Sequence, residues 1–112
     1  MPLQKWSDQI WLCQMSPEPT FSEEIDTLVG QFGKAEPKPH VVIDLSGLDV
    51  LNSSNLSQML RVRKLVTDAG SKLRIAGPTN AVWSLFLTTG LDKVFDFAQD
   101  TMMALAELQI SE

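Results

Sequence analysis

Short apolar runs rich in β-branched residues alternate along this chain with longer segments whose apolar positions recur every three or four residues. The first kind predicts strands and the second predicts helices. Gln9-Ile10-Trp11-Leu12-Cys13-Gln14-Met15 reads as a strand, and residues 3–6 as its partner across a turn at Ser7-Asp8. Pro17 and Pro19 interrupt regular pairing and open a loop. Thr20 or Ser22 caps a helix over residues 21–32, with Ile25, Leu28, Val29 and Phe32 as its apolar stripe and Gly33 as its stop. Residues 34–39, with Pro37 and Pro39, form a stiff connector.

Val41-Val42-Ile43-Asp44-Leu45 is continuous and β-branched, the pattern of a central strand covered on both faces. A helix follows from Ser54 or Asn55 to Ala69, ended by Gly70, with Leu56, Met59, Leu60, Val62, Leu65, Val66 and Ala69 as its core stripe. Gln58, Arg61 and Lys64 lie three apart and are expected on its outward face. Lys72-Leu73-Arg74-Ile75-Ala76 is the next strand, stopped by Gly77-Pro78. Asn80 caps a short helix through Val82, Leu85, Phe86 and Leu87, ended by Gly90. Val94-Phe95-Asp96-Phe97 is a last strand. Asp100 or Thr101 then caps a helix carrying Met102, Met103, Leu105, Ala106 and Leu108. Such alternation with short connections predicts an α/β fold of parallel strands with crossover helices. No repeat, linker or low-complexity tract divides it, so residues 1–112 are read as one domain.

Composition narrows the function. The chain is 44% hydrophobic and 21% charged, ordinary for a globular protein, and its net charge of −5 argues against direct nucleic-acid binding. A single cysteine excludes an internal disulfide and suits a reducing compartment. No apolar run is long enough for a transmembrane segment, and the first nine residues do not read as a signal peptide, so a cytoplasmic location is expected.

Catalytic chemistry has few candidates. His40, the only histidine, sits at a strand start without convergent partners and is read as structural. Cys13 lies in an apolar strand and is read as a buried, inert thiol. Asp44 and Asp49 bracket a strand end and are read as solvated carboxylates at a loop rim. No metal-ligand spacing or glycine-rich phosphate loop is present, so neither metal nor cofactor is expected. Trp6, Trp11 and Trp83 are assigned to core or rim packing, and Met59, Met102 and Met103 to core filling.

One segment stands apart. After the central strand, Asp49-Val50-Leu51 leads into Asn52-Ser53-Ser54-Asn55, which delivers two serines to a helix start. Free backbone N–H groups and the helix dipole favour a phosphate there, and open α/β sheets gather their sites at the carboxyl ends of strands.

The run Val41-Val42-Ile43-Asp44-Leu45 followed by Val50-Leu51-Asn52-Ser53-Ser54-Asn55-Leu56 resembles the STAS domain of bacterial anti-sigma-factor antagonists and anion-transporter tails. Asp68-Ala69-Gly70-Ser71-Lys72-Leu73 and Leu85-Phe86-Leu87-Thr88-Thr89-Gly90-Leu91-Asp92-Lys93-Val94-Phe95 extend the resemblance, which runs from His40 to Leu108 and more loosely from Gln9. It implies a single STAS-like domain with a mixed β-sheet and crossover helices. The family's phosphorylated motif is Asp-Ser-Ser-Gly or Asp-Ser-Thr-Gly, and its modified residue corresponds to Ser53. This chain has Asn52 in place of the aspartate and Asn55 in place of the glycine. The segment 15–20, with its two prolines, also departs from the family's Gly-Glu-Leu-Asp stretch.

The resemblance implies a non-enzymatic regulatory module whose partner is an anti-sigma factor or kinase-like regulatory protein. Its expected contact surface is Asn52, Ser53, Ser54 and Asn55 together with Gln58, Arg61 and Lys64, with phosphate on Ser53 obstructing the partner. The alternative is a STAS adaptor subunit of a lipid or anion transport complex without a phospho-switch, which the two asparagines favour.

Overall fold

The computed structural model describes residues 3–110. Its strands are β1 (Leu3–Lys5), β2 (Ile10–Gln14), β3 (His40–Asp44), β4 (Leu73–Ala76) and β5 (Phe97–Ala98). The helices are α1 (Thr20–Lys34), α2 (Ser53–Asp68), α3 (Asn80–Thr89) and α4 (Thr101–Ile110), with a 3₁₀ turn at Leu91–Lys93. The sheet runs in the order β1-β2-β3-β4-β5. β1 pairs antiparallel with β2, and every other pair is parallel. The expected α/β architecture with a mixed sheet and crossover helices is therefore present.

Strand periodicity divides the apolar residues between two layers. Trp11, Cys13, Val41, Ile43, Leu73 and Ile75 face α1, α2 and α3. Ile10, Leu12, Val42, Ala76 and Ala98 face α4, which packs Ala104, Leu105 and Leu108 against them. Right-handed crossovers from β2 through β5 in one direction put the first three helices on one side. The other face of the parallel strands would then lie open, and α4 covers it.

Several local expectations change. Pro19, not Thr20 or Ser22, precedes the first turn of α1 and makes no side-chain cap. The Glu18 carboxylate caps instead, accepting from the Ser22 N–H at 2.9 Å and from Ser22 Oγ at 2.8 Å. Gly33 does not stop α1, because its φ is not positive. The helix runs on to Lys34, and Lys38 Nζ binds the carbonyls of Phe32 and Gly33, both at 2.8 Å. Thr79 rather than Asn80 caps α3, accepting from the Val82 N–H at 3.4 Å while donating to the Leu48 carbonyl at 2.9 Å. Asp100 caps α4 through the Met103 N–H at 2.8 Å.

The last strand is shorter than expected. Backbone bonds from Val94 and Phe95 to the Leu91 carbonyl keep the chain coiled until Asp96, whose carbonyl then accepts from Ile75. Met102 and Met103 do not fill the core: they are 75% and 50% exposed, since α4 turns Ala104, Leu105 and Leu108 inward. Leu60 and Ala69 are likewise exposed on α2. Trp11 is buried and Trp6 is exposed.

Two glycines predict opposite effects. Gly70 ends α2 with φ +80°, its N–H bonded to the Thr67 carbonyl and the Ser71 N–H to the Val66 carbonyl. Gly70→Ala meets no neighbouring atom, so its cost is backbone strain alone, about 1–2 kcal/mol. Gly30 lies inside α1 at ordinary helical φ with open space around it. Gly30→Ala should therefore stabilise by about 0.5–1 kcal/mol. Urea unfolding of the two variants should move the midpoint in opposite directions.

Candidate functional site

Burial of β3 on both faces sets where its carboxyl end lies, and the turn beyond it is held at both ends. The Asp44 carboxylate, 7% exposed, accepts from the Ser46 N–H at 2.9 Å and is not the solvated rim group expected. Leu48 and Leu51 are buried and anchor the turn. Between them Asp49 is exposed, and Val50 projects with 77% of its surface exposed.

Asn52 is the N-cap of α2, with an extended backbone. Its Oδ1 accepts from the Asn55 N–H at 2.8 Å, and Asn55 Oδ1 accepts from the Asn52 N–H at 3.1 Å. These reciprocal bonds form a capping box in which asparagine serves at both positions. Both capping side chains are thus asparagines. Ser53 and Ser54 occupy the first two helical positions, exposed, with no hydrogen bond from either hydroxyl to a described residue. Backbone N–H groups at those positions have no intrahelical partner. The first turn of α2 contributes no acidic side chain of its own.

Asn55 does more than complete the cap. It is 3% exposed, and its Nδ2 donates to Glu18 Oε2 at 3.0 Å and Gln58 Oε1 at 3.4 Å. Gln58 Nε2 donates to Ser22 Oγ at 3.0 Å, and Ser22 donates to Glu18. Asn55, Glu18, Ser22 and Gln58 therefore close a hydrogen-bonded ring between the starts of α1 and α2. The bonds to Ser22 and Asn55 hold the Glu18 carboxyl below its usual 4.5, against a smaller opposing effect of burial.

The ring corrects the expected face of α2. Gln58 turns toward α1 and is half-buried, while Arg61 and Lys64 point to solvent. Lys64 pairs with Asp68 one turn on at 3.1 Å, and Arg61 has no side-chain partner among the described residues. Asn55 is enclosed, so it shapes the turn rather than presenting itself. Glu18 was not singled out from sequence, and Ser22 was read only as a candidate cap of the first helix. They lie 37 and 36 residues from their α2 partners, and no local spacing announces such a contact.

The remaining reactive groups lie elsewhere. Burial, with a smaller contribution from Glu24, pushes the Cys13 thiol up to about 12, so it stays protonated at neutral pH. His40 Nδ1 accepts from the Lys72 N–H at 2.9 Å and joins β3 to the start of β4. Among the described residues, no three His, Cys, Asp or Glu side chains gather as metal ligands.

Comparisons with known proteins bear out the fold. The structure resembles an anti-sigma-factor antagonist STAS domain protein from Planctomyces limnophilus, at 18% identity and a TM-score of 0.81, covering 96% of each chain. It also resembles a variant of RsbS from Moorella thermoacetica, at 22% identity and a TM-score of 0.78, covering 97% of this chain and 96% of that one. A chain of the stressosome, a signal integration and transduction hub, matches at 20% identity and a TM-score of 0.78, covering 96% of both. No curated protein matches the sequence. The STAS domain model matches residues 15–104, which contain β3, the serine turn and both helices of the ring, and the chain belongs to the STAS domain family.

Proposed function

We propose that this protein is a non-enzymatic regulatory binding module of the anti-sigma-factor-antagonist kind. Its partner is an anti-sigma factor or kinase-like regulatory protein. The docking face is the turn at Asn52, Ser53 and Ser54, with Val50 beside it and Arg61 and Lys64 along α2. Asn55 and Gln58 hold that face in shape from within. The observation that carries this reading is the pair of exposed serines at the N-terminus of α2, beyond the carboxyl end of the central strand. A phosphate on Ser53 adds about −1.5 to −2 charges at a place where the helix dipole tolerates them. Its effect therefore falls on the partner rather than on the fold. A cytoplasmic location fits this reading, and no helix among the described residues is long and apolar enough to cross a membrane.

A second reading rests on the asparagines. Asn55 stands where the family has glycine and is bonded on both sides, so the turn is stiffened. A rigid, unphosphorylated turn suits an adaptor subunit of a lipid or anion transport complex.

Incubation with the partner kinase and mass spectrometry separates the two. Phosphate on Ser53 is expected, Ser53→Asp should weaken partner capture, and Ser53→Ala should bind without switching. Intact binding with no phosphate on either serine would support the adaptor reading, and phosphate on Ser54 alone would misplace the switch.

Reversing Arg61 and Lys64 to glutamate should abolish capture. The melting curve should stay nearly unchanged, because exposed substitutions and a solvent-exposed i,i+4 pair each contribute about 0.5 kcal/mol or less. Unfolding of the double variant would instead make the two residues structural.

The ring has its own signature. Asn55→Ala removes half the capping box and leaves the Asn52 N–H without its side-chain acceptor, at a cost of about 1–2 kcal/mol. Glu18 should titrate below 4.5 in the folded chain, and Ser22→Ala should raise it, as read by carboxyl NMR shifts. A folded value below the unfolded one means that Glu18 stabilises fully above the unfolded value. That contribution is lost as pH falls through the folded value. The stability gap between this protein and Glu18→Ala should accordingly narrow below pH 4.5.

A further inference from the structure

A cavity of about 200 Å³ opens at the amino end of β4, at the opposite end of the parallel strands from the serine turn. Arg63 reaches it from α2, Lys72 and Arg74 from the start of β4, and Asp96 from the approach to β5. Buried Leu73 and Phe95 form its apolar floor. Three of the chain's nine lysines and arginines thus line one small cavity against a single carboxylate, in a chain of net charge −5.

These cations are held in place without being well paired. Arg63 is half-buried, and its Nε donates to the Val94 carbonyl at 3.0 Å, which ties the guanidinium to the segment before β5. Its two Nη groups have no partner among the described residues. The Arg74 side chain is 19% exposed, and all its contacts are long: 3.3 Å to Glu107, 3.4 Å to Asp96 and 3.4 Å to the Leu73 carbonyl. Well-formed bonds between a guanidinium and a carboxylate run at about 2.7–2.9 Å. Asp96 is 78% exposed, so its pair with Arg74 is weak and replaceable. Glu107 lies on α4 and does not line the cavity. The exposed Lys72 ammonium has no partner among the described residues. The last carbonyls of α2 do not compete for these cations, because those of Val66 and Thr67 accept from the Ser71 and Gly70 N–H groups.

We propose that this cavity binds a phosphate group, carried by the free ion or by a small monoester. A planar carboxylate is satisfied by one guanidinium fork. Cations arriving from α2 and from the start of β4 suit a tetrahedral dianion, whose acceptor oxygens point in several directions. The half-buried setting of both arginines strengthens the attraction, since partly buried charges are screened less than open ones. Arg74 exchanges Asp96 for the incoming phosphate. The hydroxyls of Thr67 and Ser71 donate to backbone carbonyls, so the three cations carry the recognition. The proposal does not rest on the serine turn, and its test needs no kinase.

Potassium phosphate is titrated into the ¹⁵N-labelled full chain at neutral pH and constant ionic strength. The Nε–H cross-peaks of Arg63 and Arg74, identified by their loss in Arg63→Lys and Arg74→Lys, should shift saturably with a dissociation constant of about 1 mM. Lys72→Gln removes an exposed ammonium, so it should leave the melting curve in place and weaken binding by about 3–10-fold. Asp96→Asn removes the competing carboxylate and should tighten binding by a similar factor. Lys34→Gln, on α1 and outside the cavity, should leave the affinity unchanged. Glycerol phosphate is titrated in parallel: tighter binding than inorganic phosphate identifies a monoester as the source, and equal or weaker binding identifies the free ion. Absence of a saturable shift up to about 10 mM of either would overturn the proposal. So would an equal response to acetate, or affinities that Lys72→Gln and Asp96→Asn leave unaltered. A loss on Lys34→Gln as large as on Lys72→Gln would also overturn it, as general attraction of anions to surface charge.

Discussion

The burial of the middle of β3 on both faces is the constraint on which the rest depends. Val41, Val42 and Ile43 have no solvent exposure, and a parallel strand in the middle of a sheet needs cover on both faces. Burying a side chain of this size contributes roughly 1.5–3 kcal/mol, so three in succession dominate the local energetics. Handedness assigns α1, α2 and α3 to one face, and only the chain after β5 remains to cover the other. α4 does so through small and branched residues, Ala104, Leu105 and Leu108. With both layers in place, the carboxyl end of β3 is packed on both faces, and the serine turn follows it.

The turn is then tied down by polar chemistry rather than by further burial. Where the family motif has aspartate and glycine, this chain has a pair of asparagines that satisfy each other's backbone. An aspartate cap would bring a negative charge to the dipole, and Asn52 brings geometry alone. Asn55 uses the Nδ2 of the same amide to reach Glu18, in the very segment that also departs from the family pattern. The two departures are therefore one feature: the buried Asn55 donates, and the proline-flanked Glu18 accepts, the same bond. Ser22 and Gln58 close the ring, so the buried Asn55 amide is bonded while Glu18 stays exposed at its edge.

The two ends of the neighbouring strands differ in character. Beyond β3 the exposed groups are hydroxyls, Asp49 and the single apolar tip of Val50. Beyond β4 and β5 they are aromatic rings and neutral amides. Thr79 links the regions, capping α3 while donating to the Leu48 carbonyl in the serine turn. One hydroxyl thus fixes the position of α3, and hence of Trp83, relative to the turn.

The alternation of apolar runs was enough to read strand, helix and strand in order, because periodicity is a local property. The continuous Val41-Val42-Ile43 run marked the central strand, and Gly70 and Gly90 marked true helix ends. Asn52-Ser53-Ser54-Asn55 was legible as a special turn because capping residues act within four positions. What lay beyond local reach was decided by tertiary contact. Glu18 became a helix cap and a ring member through residues 36 and 37 positions away. Gly33 stayed helical because Lys38 supplied the carbonyl partners that a left-handed glycine cap would otherwise make unnecessary. Met102 and Met103 follow core spacing and yet face water, because a helix with apolar residues on every side carries no signal of which side meets the sheet. Only the packing of Ala104, Leu105 and Leu108 against Ile10, Leu12 and Val42 made that choice.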